Sequence, residues 1–213
     1  MLCFYDLNTV VKKTELSELE GSRLLYAKKF GEKKELDDFL KREYLTYKCL
    51  KEFSGLEVSI IGLPGKKPST SSKGLFFSRS TDGSKFVIYV SNYLCGVDIK
   101  EVSEIDIDVI KYTFTEKENK FLDCIKDLKQ KRIYYTLIYT IKESIIKTKN
   151  LNRAKSLLKI NTKLKSEVIT ESVKRIFSTN LLIDGVYINS YYINGSIITI
   201  STTKDVYSDL LVN

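Results

Sequence analysis

Both prolines of this chain, Pro64 and Pro68, fall in one short stretch, Gly62-Leu63-Pro64-Gly65-Lys66-Lys67-Pro68-Ser69-Thr70-Ser71-Ser72-Lys73-Gly74. Proline fixes φ and removes a backbone donor, so the stretch must be a loop that divides the helix or strand before it from the one after. The rest of the chain can be read by hydrophobic period. Ahead of the loop, residues 15–53 mix charge with Leu36, Phe39, Leu40, Tyr44, Tyr47 and Leu50 at three-and-four spacing, which predicts helix. Behind it, Leu75–Ser78 and Lys85–Val90 predict strands around a turn at Thr81-Asp82-Gly83-Ser84, and another strand spans Leu94–Ile99. Apolar residues return to helical spacing over Asp108–Asp127 and Tyr134–Lys149, where Ile138, Ile141 and Ile145 form a stripe. The chain then returns to strand at Gly185–Asn189 and Ser196–Ser201, with Asn194-Gly195 as a hairpin turn.

Helix and hairpin thus occur twice, which predicts an α+β protein of two similar halves meeting near Gly96, although no exact internal repeat is visible. A length of 213 residues suits one domain or two small ones in tandem, and the order of elements favours the second. No apolar run approaches a bilayer span, and Met1-Leu2-Cys3-Phe4-Tyr5-Asp6 lacks the pattern of a leader, so a cytoplasmic chain without a membrane partner is expected. Cys3, Cys49, Cys95 and Cys124 are far apart with no C-x-x-C pair, so they are expected to be reduced and buried. The chain has no histidine, which removes Ser-His-Asp and Cys-His nucleophiles and every His-ligated zinc site. Chemistry here must run on carboxylates, lysines and hard metals. A net charge of +8 attracts nucleic acid, anionic lipid, a polyphosphate or an acidic protein, and does not choose among them.

Three stretches can carry that chemistry. In Cys95-Gly96-Val97-Asp98-Ile99-Lys100, strand alternation sends Val97 and Ile99 to one face and Asp98 to the other beside Gly96, where a carboxylate next to a glycine leaves room for an ion. In Tyr139-Thr140-Ile141-Lys142-Glu143-Ser144-Ile145-Ile146-Lys147, Glu143 and Lys147 share a helix face roughly 200° from Ile141. The loop at Gly65-Lys66-Lys67-Pro68 leads to Ser78-Arg79-Ser80, where lysines, hydroxyls and a guanidinium would suit a phosphate. Each stretch alone also suits a plain structural role: an Asp ending a strand, an exposed Glu-Lys pair, a solvated loop.

Taken together and in order, these stretches resemble the 4′-phosphopantetheinyl transferases of the surfactin-synthetase type over most of the chain. That family carries a Gly-Lys-Pro loop, a Ser-His-Ser strand end, Gly-(Val/Ile)-Asp-(Ile/Val)-Glu, Phe-x-x-x-Glu, and Trp-(Ser/Thr)-x-Lys-Glu-(Ala/Ser)-x-x-Lys. The present chain has Gly65-Lys66-Lys67-Pro68, Ser78-Arg79-Ser80, Gly96-Val97-Asp98-Ile99-Lys100, Phe114-Thr115-Glu116-Lys117-Glu118 and Tyr139 to Lys147. Arg42-Glu43-Tyr44-Leu45 also resembles the family's arginine-bearing N-terminal helix.

The resemblance implies a pseudo-dimeric fold of two similar α+β halves with the active site between them. Residues 1–96 would form the nucleotide side of a coenzyme A site, and residues 97–213 would carry the metal and catalytic residues. The implied reaction moves the 4′-phosphopantetheine of coenzyme A onto a serine of an apo acyl or peptidyl carrier protein, with Mg²⁺ (or Mn²⁺), releasing adenosine 3′,5′-bisphosphate. By position, Asp98 and Glu143 would hold the metal, and Lys147 would contact phosphate and assist the leaving group. Arg42, Lys66, Lys67, Pro68, Ser78 and Arg79 would line the nucleotide site. Glu118 or Glu143, directly or through a metal-bound water, would take the serine proton. The implied enzyme is a monomer serving fatty-acid, polyketide or nonribosomal-peptide synthesis, and no nucleic acid is expected because basic residues are scattered among acids. The chain departs from the pattern at Arg79 for histidine, Lys100 for a second acid on the strand, Tyr139 for tryptophan, and Thr148-Lys149-Asn150-Leu151-Asn152 for a glycine-rich stretch. Lys100 is the best argument for the alternative, a non-catalytic relative that binds coenzyme A or a carrier protein. A basic nucleic-acid-binding protein is the other rival.

Overall fold

Alternation along one strand sorts the interior into layers. In Lys85–Ser91, Phe86, Ile88 and Val90 pack with Tyr44, Leu45, Cys49 and Leu50 of a long helix, while Val87 and Tyr89 pack the opposite way against a second sheet. The structure, a computed structural model, describes residues 1–8, 19, 32–62, 67–104, 106–164 and 181–205. The first half comprises β1 (Leu2–Asp6), α1 (Lys33–Ser54), two short strands β2 (Ile60–Ile61) and β3 (Ser69–Thr70), and the hairpin of β4 (Phe76–Asp82) and β5 (Lys85–Ser91). The second comprises β6 (Cys95–Glu101), α2 (Ile107–Thr113), α3 (Glu116–Asp123), α4 (Leu128–Lys149), the one-turn α5 (Arg153–Ser156) running into a 3₁₀ turn (Leu157–Lys159), and β7 (Leu181–Ile183), β8 (Val186–Ile193) and β9 (Ser196–Thr202).

The two main sheets share one order: the leading strand lies beside the second hairpin strand, giving β1-β5-β4 in one and β6-β9-β8-β7 in the other. All pairings are antiparallel, with Phe4 opposite Val87 in the first sheet and Asp98 opposite Thr199 in the second. A cluster of Val87, Tyr89, Cys95, Val97, Ile99, Ile198 and Ile200 joins the sheets face to face. The layers therefore run α1, first sheet, second sheet, α4. On α4 the expected stripe of Ile138, Ile141 and Ile145 is fully buried, each side chain contributing about 1.5–3 kcal/mol relative to exposure.

Several expectations are corrected. The single helix over Asp108–Asp127 is two, because Phe114 leaves the helical region and Thr115 starts α3 with a capping box: Thr115 Oγ1 accepts from Glu118 N, and Glu118 Oε2 accepts from Thr115 N at 2.8 Å. Helix α4 begins at Leu128 rather than Tyr134, where Asp127 Oδ1 accepts from Gln130 N at 2.7 Å. Strand β6 starts at Cys95, so the boundary expected after residue 96 lies inside it, and the change of sheet occurs at residues 92–94. Strands β1 and β7 were not expected. The hairpin joining β7 to β8 turns on Asp184 and Gly185, both at positive φ, as Asn194 and Gly195 are in the expected one. All four cysteines are free as expected, but Cys124 is exposed and Cys3 half-buried. The expected helix over residues 15–31 lies, apart from Leu19, outside the described residues, as do Pro64, Gly65 and Lys66 of the loop. No helix among the described residues is long and apolar enough to cross a membrane.

Candidate functional site

The site is built where β6 lies against α4. A Cβ added at Gly96 would stand 2.0 Å from the Ser144 carbonyl oxygen and 2.6 Å from Thr148 Oγ1, so only glycine lets the strand approach this closely. The space beside Gly96 is therefore filled by the helix and not left for an ion. Small hydroxyls line the same contact: Thr140 meets Thr199 at 2.8 Å, and Thr148 bonds Ser201. Because both faces of α4 are covered, Glu143 is buried, and the plain alternative of an exposed Glu143–Lys147 pair does not hold.

The two residues take different partners. Lys147 Nζ donates to Asp98 Oδ1 at 2.6 Å and to the Val97 carbonyl at 3.0 Å, and Ser80 Oγ donates to the same Oδ1 at 2.7 Å. Glu143 Oε1 accepts from Arg153 Nε, and Arg153 Nη2 donates to the Tyr139 hydroxyl at 2.6 Å. Among the described residues, Asp98 Oδ2 and Glu143 Oε2 have no hydrogen-bond partner. The Tyr139 phenol is pushed up first by burial, then by Glu143 and to a smaller extent by Asp98, with Arg153 opposing.

Cations line the cleft beside them. Lys67 Nζ donates to the Lys147 carbonyl at 2.5 Å and to the Cys95 carbonyl at 3.2 Å, tying the loop to α4 and β6. Burial, with a smaller contribution from Lys147, holds its ammonium below the ordinary lysine value. Arg79 is braced from α1: its Nη2 donates to Glu43 Oε1 at 2.6 Å and its Nη1 to Thr46 Oγ1 at 3.2 Å. Glu43 is fully buried. Arg42 stands near Arg79, and burial, then repulsion from that second guanidinium, lowers its pKa. Lys67, Pro68, Ser78, Arg79 and Lys147 all line one cavity of about 220 Å³. A larger cavity of about 470 Å³ adjoins it, shares Lys67, Pro68, Phe77 and Asn150, and continues along Ser69, Thr70 and Lys73. Several positive groups around a space of this size suit an anionic, nucleotide-sized ligand.

Not every expected residue joins this group. Glu118 is sealed in the second half: Oε1 accepts from Thr162 N and Thr162 Oγ1, each at 2.9 Å, and Oε2 from Thr115 and from Lys142 Nζ at 2.6 Å. Lys142 has no exposed surface and also donates to the Thr113 and Leu157 carbonyls. Lys100 turns away to Asp82, at 3.0 Å, so its ammonium does not stand between Asp98 and Glu143. Lys66 lies outside the described residues. Arg153 was not singled out from the sequence; Ser80 was read as a phosphate-binding hydroxyl rather than a partner of Asp98, and Glu43 stood in the Arg42-Glu43-Tyr44-Leu45 stretch without a role. No group of three acidic or thiol side chains able to hold a metal occurs among the described residues. Asp98 and Glu143 each keep one carboxylate oxygen without a hydrogen-bond partner among the described residues, a donor type that suits Mg²⁺, which commonly takes one or two carboxylates and completes its shell with phosphate and water. No protein-family model matches the chain, and no curated protein matches it.

Proposed function

We propose that this chain is a 4′-phosphopantetheinyl transferase of the surfactin-synthetase type, with a pseudo-dimeric fold and coenzyme A held between its halves. The observation that carries the proposal is the 220 Å³ cavity at the junction, whose wall unites Lys67, Pro68, Ser78, Arg79 and Lys147 from separate parts of the sequence. The shared strand order of the two sheets supports the two-half fold.

In this reading the cationic wall binds the phosphates of coenzyme A, with Arg42 adding charge behind Arg79. Asp98 and Glu143 would hold Mg²⁺ or Mn²⁺, which when bound supplies positive charge to the pyrophosphate oxygens. The serine oxygen of an apo acyl or peptidyl carrier protein attacks the phosphorus that bears the pantetheine arm. The bond from that phosphorus to the bridging oxygen breaks, and adenosine 3′,5′-bisphosphate leaves. Lys147 stabilises the charge that develops on the leaving phosphate. Of the two candidate bases, Glu118 has both oxygens engaged in the interior, so Glu143 takes the serine proton directly or through one bridging water. The net charge of +8 steers an acidic carrier domain toward the enzyme, which acts as a cytoplasmic monomer.

The test is mass spectrometry of apo carrier proteins from fatty-acid, polyketide and nonribosomal-peptide systems, each incubated with the chain, coenzyme A and Mg²⁺. Gain of one phosphopantetheine by any of them supports the proposal, and gain by none contradicts it. The protein cations already on Asp98 and Glu143 favour one second reading, a relative that binds coenzyme A without transfer. Calorimetric binding with no gain of mass would select it.

A further inference from the structure

We propose that Arg153 is a cationic latch on Glu143, which a divalent cation must displace, so that the site takes its metal together with a pyrophosphate-bearing nucleotide and only weakly without one. The inference rests on the transferase reading and adds to it a residue that the sequence pattern did not single out.

The latch depends on how α4 ends. Asn150 adopts the left-handed conformation at φ 51°, with its N–H on the Ile146 carbonyl, and Leu151 N bonds the same carbonyl at 3.0 Å. The chain therefore reverses directly after the helix. Asn152 then caps α5 through Lys155 N at 3.2 Å, which fixes Arg153 as its first residue and returns the guanidinium to Glu143.

The two partners differ in access to water. The Glu143 side chain is 10% exposed and that of Arg153 is 59% exposed. A buried carboxylate left without a cation is strongly unfavourable, whereas a guanidinium at the rim can swing into water at little cost. A guanidinium keeps its charge at any working pH. A divalent ion near Glu143 repels that charge, and the two therefore compete for one carboxylate. Asp98 presents the same competition through Lys147. A bound pyrophosphate changes the balance by giving both displaced cations a new anion. Metal and nucleotide should then each strengthen the other's binding by the same factor.

The test is a titration of the intact chain with Mn²⁺, reading free ion by electron paramagnetic resonance, with and without coenzyme A, for wild type, Arg153→Ala and Arg153→Gln. Glutamine keeps a hydrogen-bonding side chain without the charge, which guards against a folding defect in the alanine variant. Wild type should bind Mn²⁺ weakly alone and more tightly with coenzyme A. Both variants should bind Mn²⁺ alone about tenfold more tightly than wild type, and the gain from coenzyme A should shrink. If folded variants bind Mn²⁺ alone no better than wild type while coenzyme A still binds, the latch is wrong and the transferase reading stands. If wild type binds neither coenzyme A nor Mn²⁺ with it, both fail.

Discussion

Lys142 and Glu143 are neighbours on one helix, each held in an ion pair, and the two pairs differ in almost every other respect. Lys142–Glu118 is sealed: neither side chain reaches water appreciably, and every carboxylate oxygen has at least two donors. Glu143–Arg153 lies at the edge of the molecule, with one carboxylate oxygen unpartnered among the described residues and a cation free to leave. Full hydrogen bonding makes the first pair a structural tie between α3 and α4. Incomplete bonding leaves the second able to exchange partners, which chemistry requires.

The sharpest way to break this contrast is through stability. Removing one member of the sealed pair, by Glu118→Ala or Lys142→Met, should cost about 3–5 kcal/mol in urea unfolding, because an uncompensated charge stays inside. The double variant Glu118→Leu/Lys142→Met should lose much less than the sum. A single-variant loss below about 1 kcal/mol would remove the structural assignment.

Next in size is the effect on transfer. Asp98→Ala, Glu143→Ala and Lys147→Ala should each lower transfer at least about 10²-fold while the chain stays folded, since each alters charge aimed at the pyrophosphate. Near-wild-type turnover in all three would place the chemistry elsewhere. Arg79→Ala combines both kinds of effect. It should raise the coenzyme A KM more than it lowers kcat, and it should also destabilise the fold by about 1–3 kcal/mol, because the buried Glu43 carboxylate loses its ion pair with Arg79. An unchanged KM would take Arg79 out of the binding site.

The smallest effect is on pH dependence. Lys67 has its pKa lowered by burial, so its charge is lost at a lower pH than that of an ordinary lysine. Coenzyme A should therefore bind more weakly as pH rises through that lowered value, measured by calorimetry, and Lys67→Met should lose this dependence. For stability the sign is the reverse. Between the lowered folded value and the unfolded one, the unfolded chain binds the extra proton, so stability rises with pH in that window.

What the sequence revealed follows from local geometry. Strand alternation around Asp98 and the pitch of α4 hold over short distances, so Asp98, Lys147 and the Ser78-Arg79-Ser80 strand could be picked out before the contacts of Asp98 with Lys147 and Ser80 were known. The rest depends on long-range packing. A lysine within Tyr139–Lys147 reads as solvated, and only the covering of α4 by α3 and the segment after α5 shows why Lys142 is buried. Arg153 reaches Glu143 through a reversal at a non-glycine residue, which carries little sequence signal. Glu118 is different, because Thr115-x-x-Glu118 is a readable capping box, a structural signal that its reading as a candidate base passes over. Gly96 was read as making room for an ion, whereas the close approach of α4 needs that room.

The central claim is that transfer depends on the open pair, and intact-mass spectrometry of one apo carrier protein tests it most directly. The carrier is incubated with coenzyme A, Mg²⁺ and either wild type or Glu143→Gln, at equal amounts of folded enzyme. The account predicts a single added phosphopantetheine with wild type and at least about 10²-fold slower addition with the variant. Equal rates for the two enzymes would contradict it.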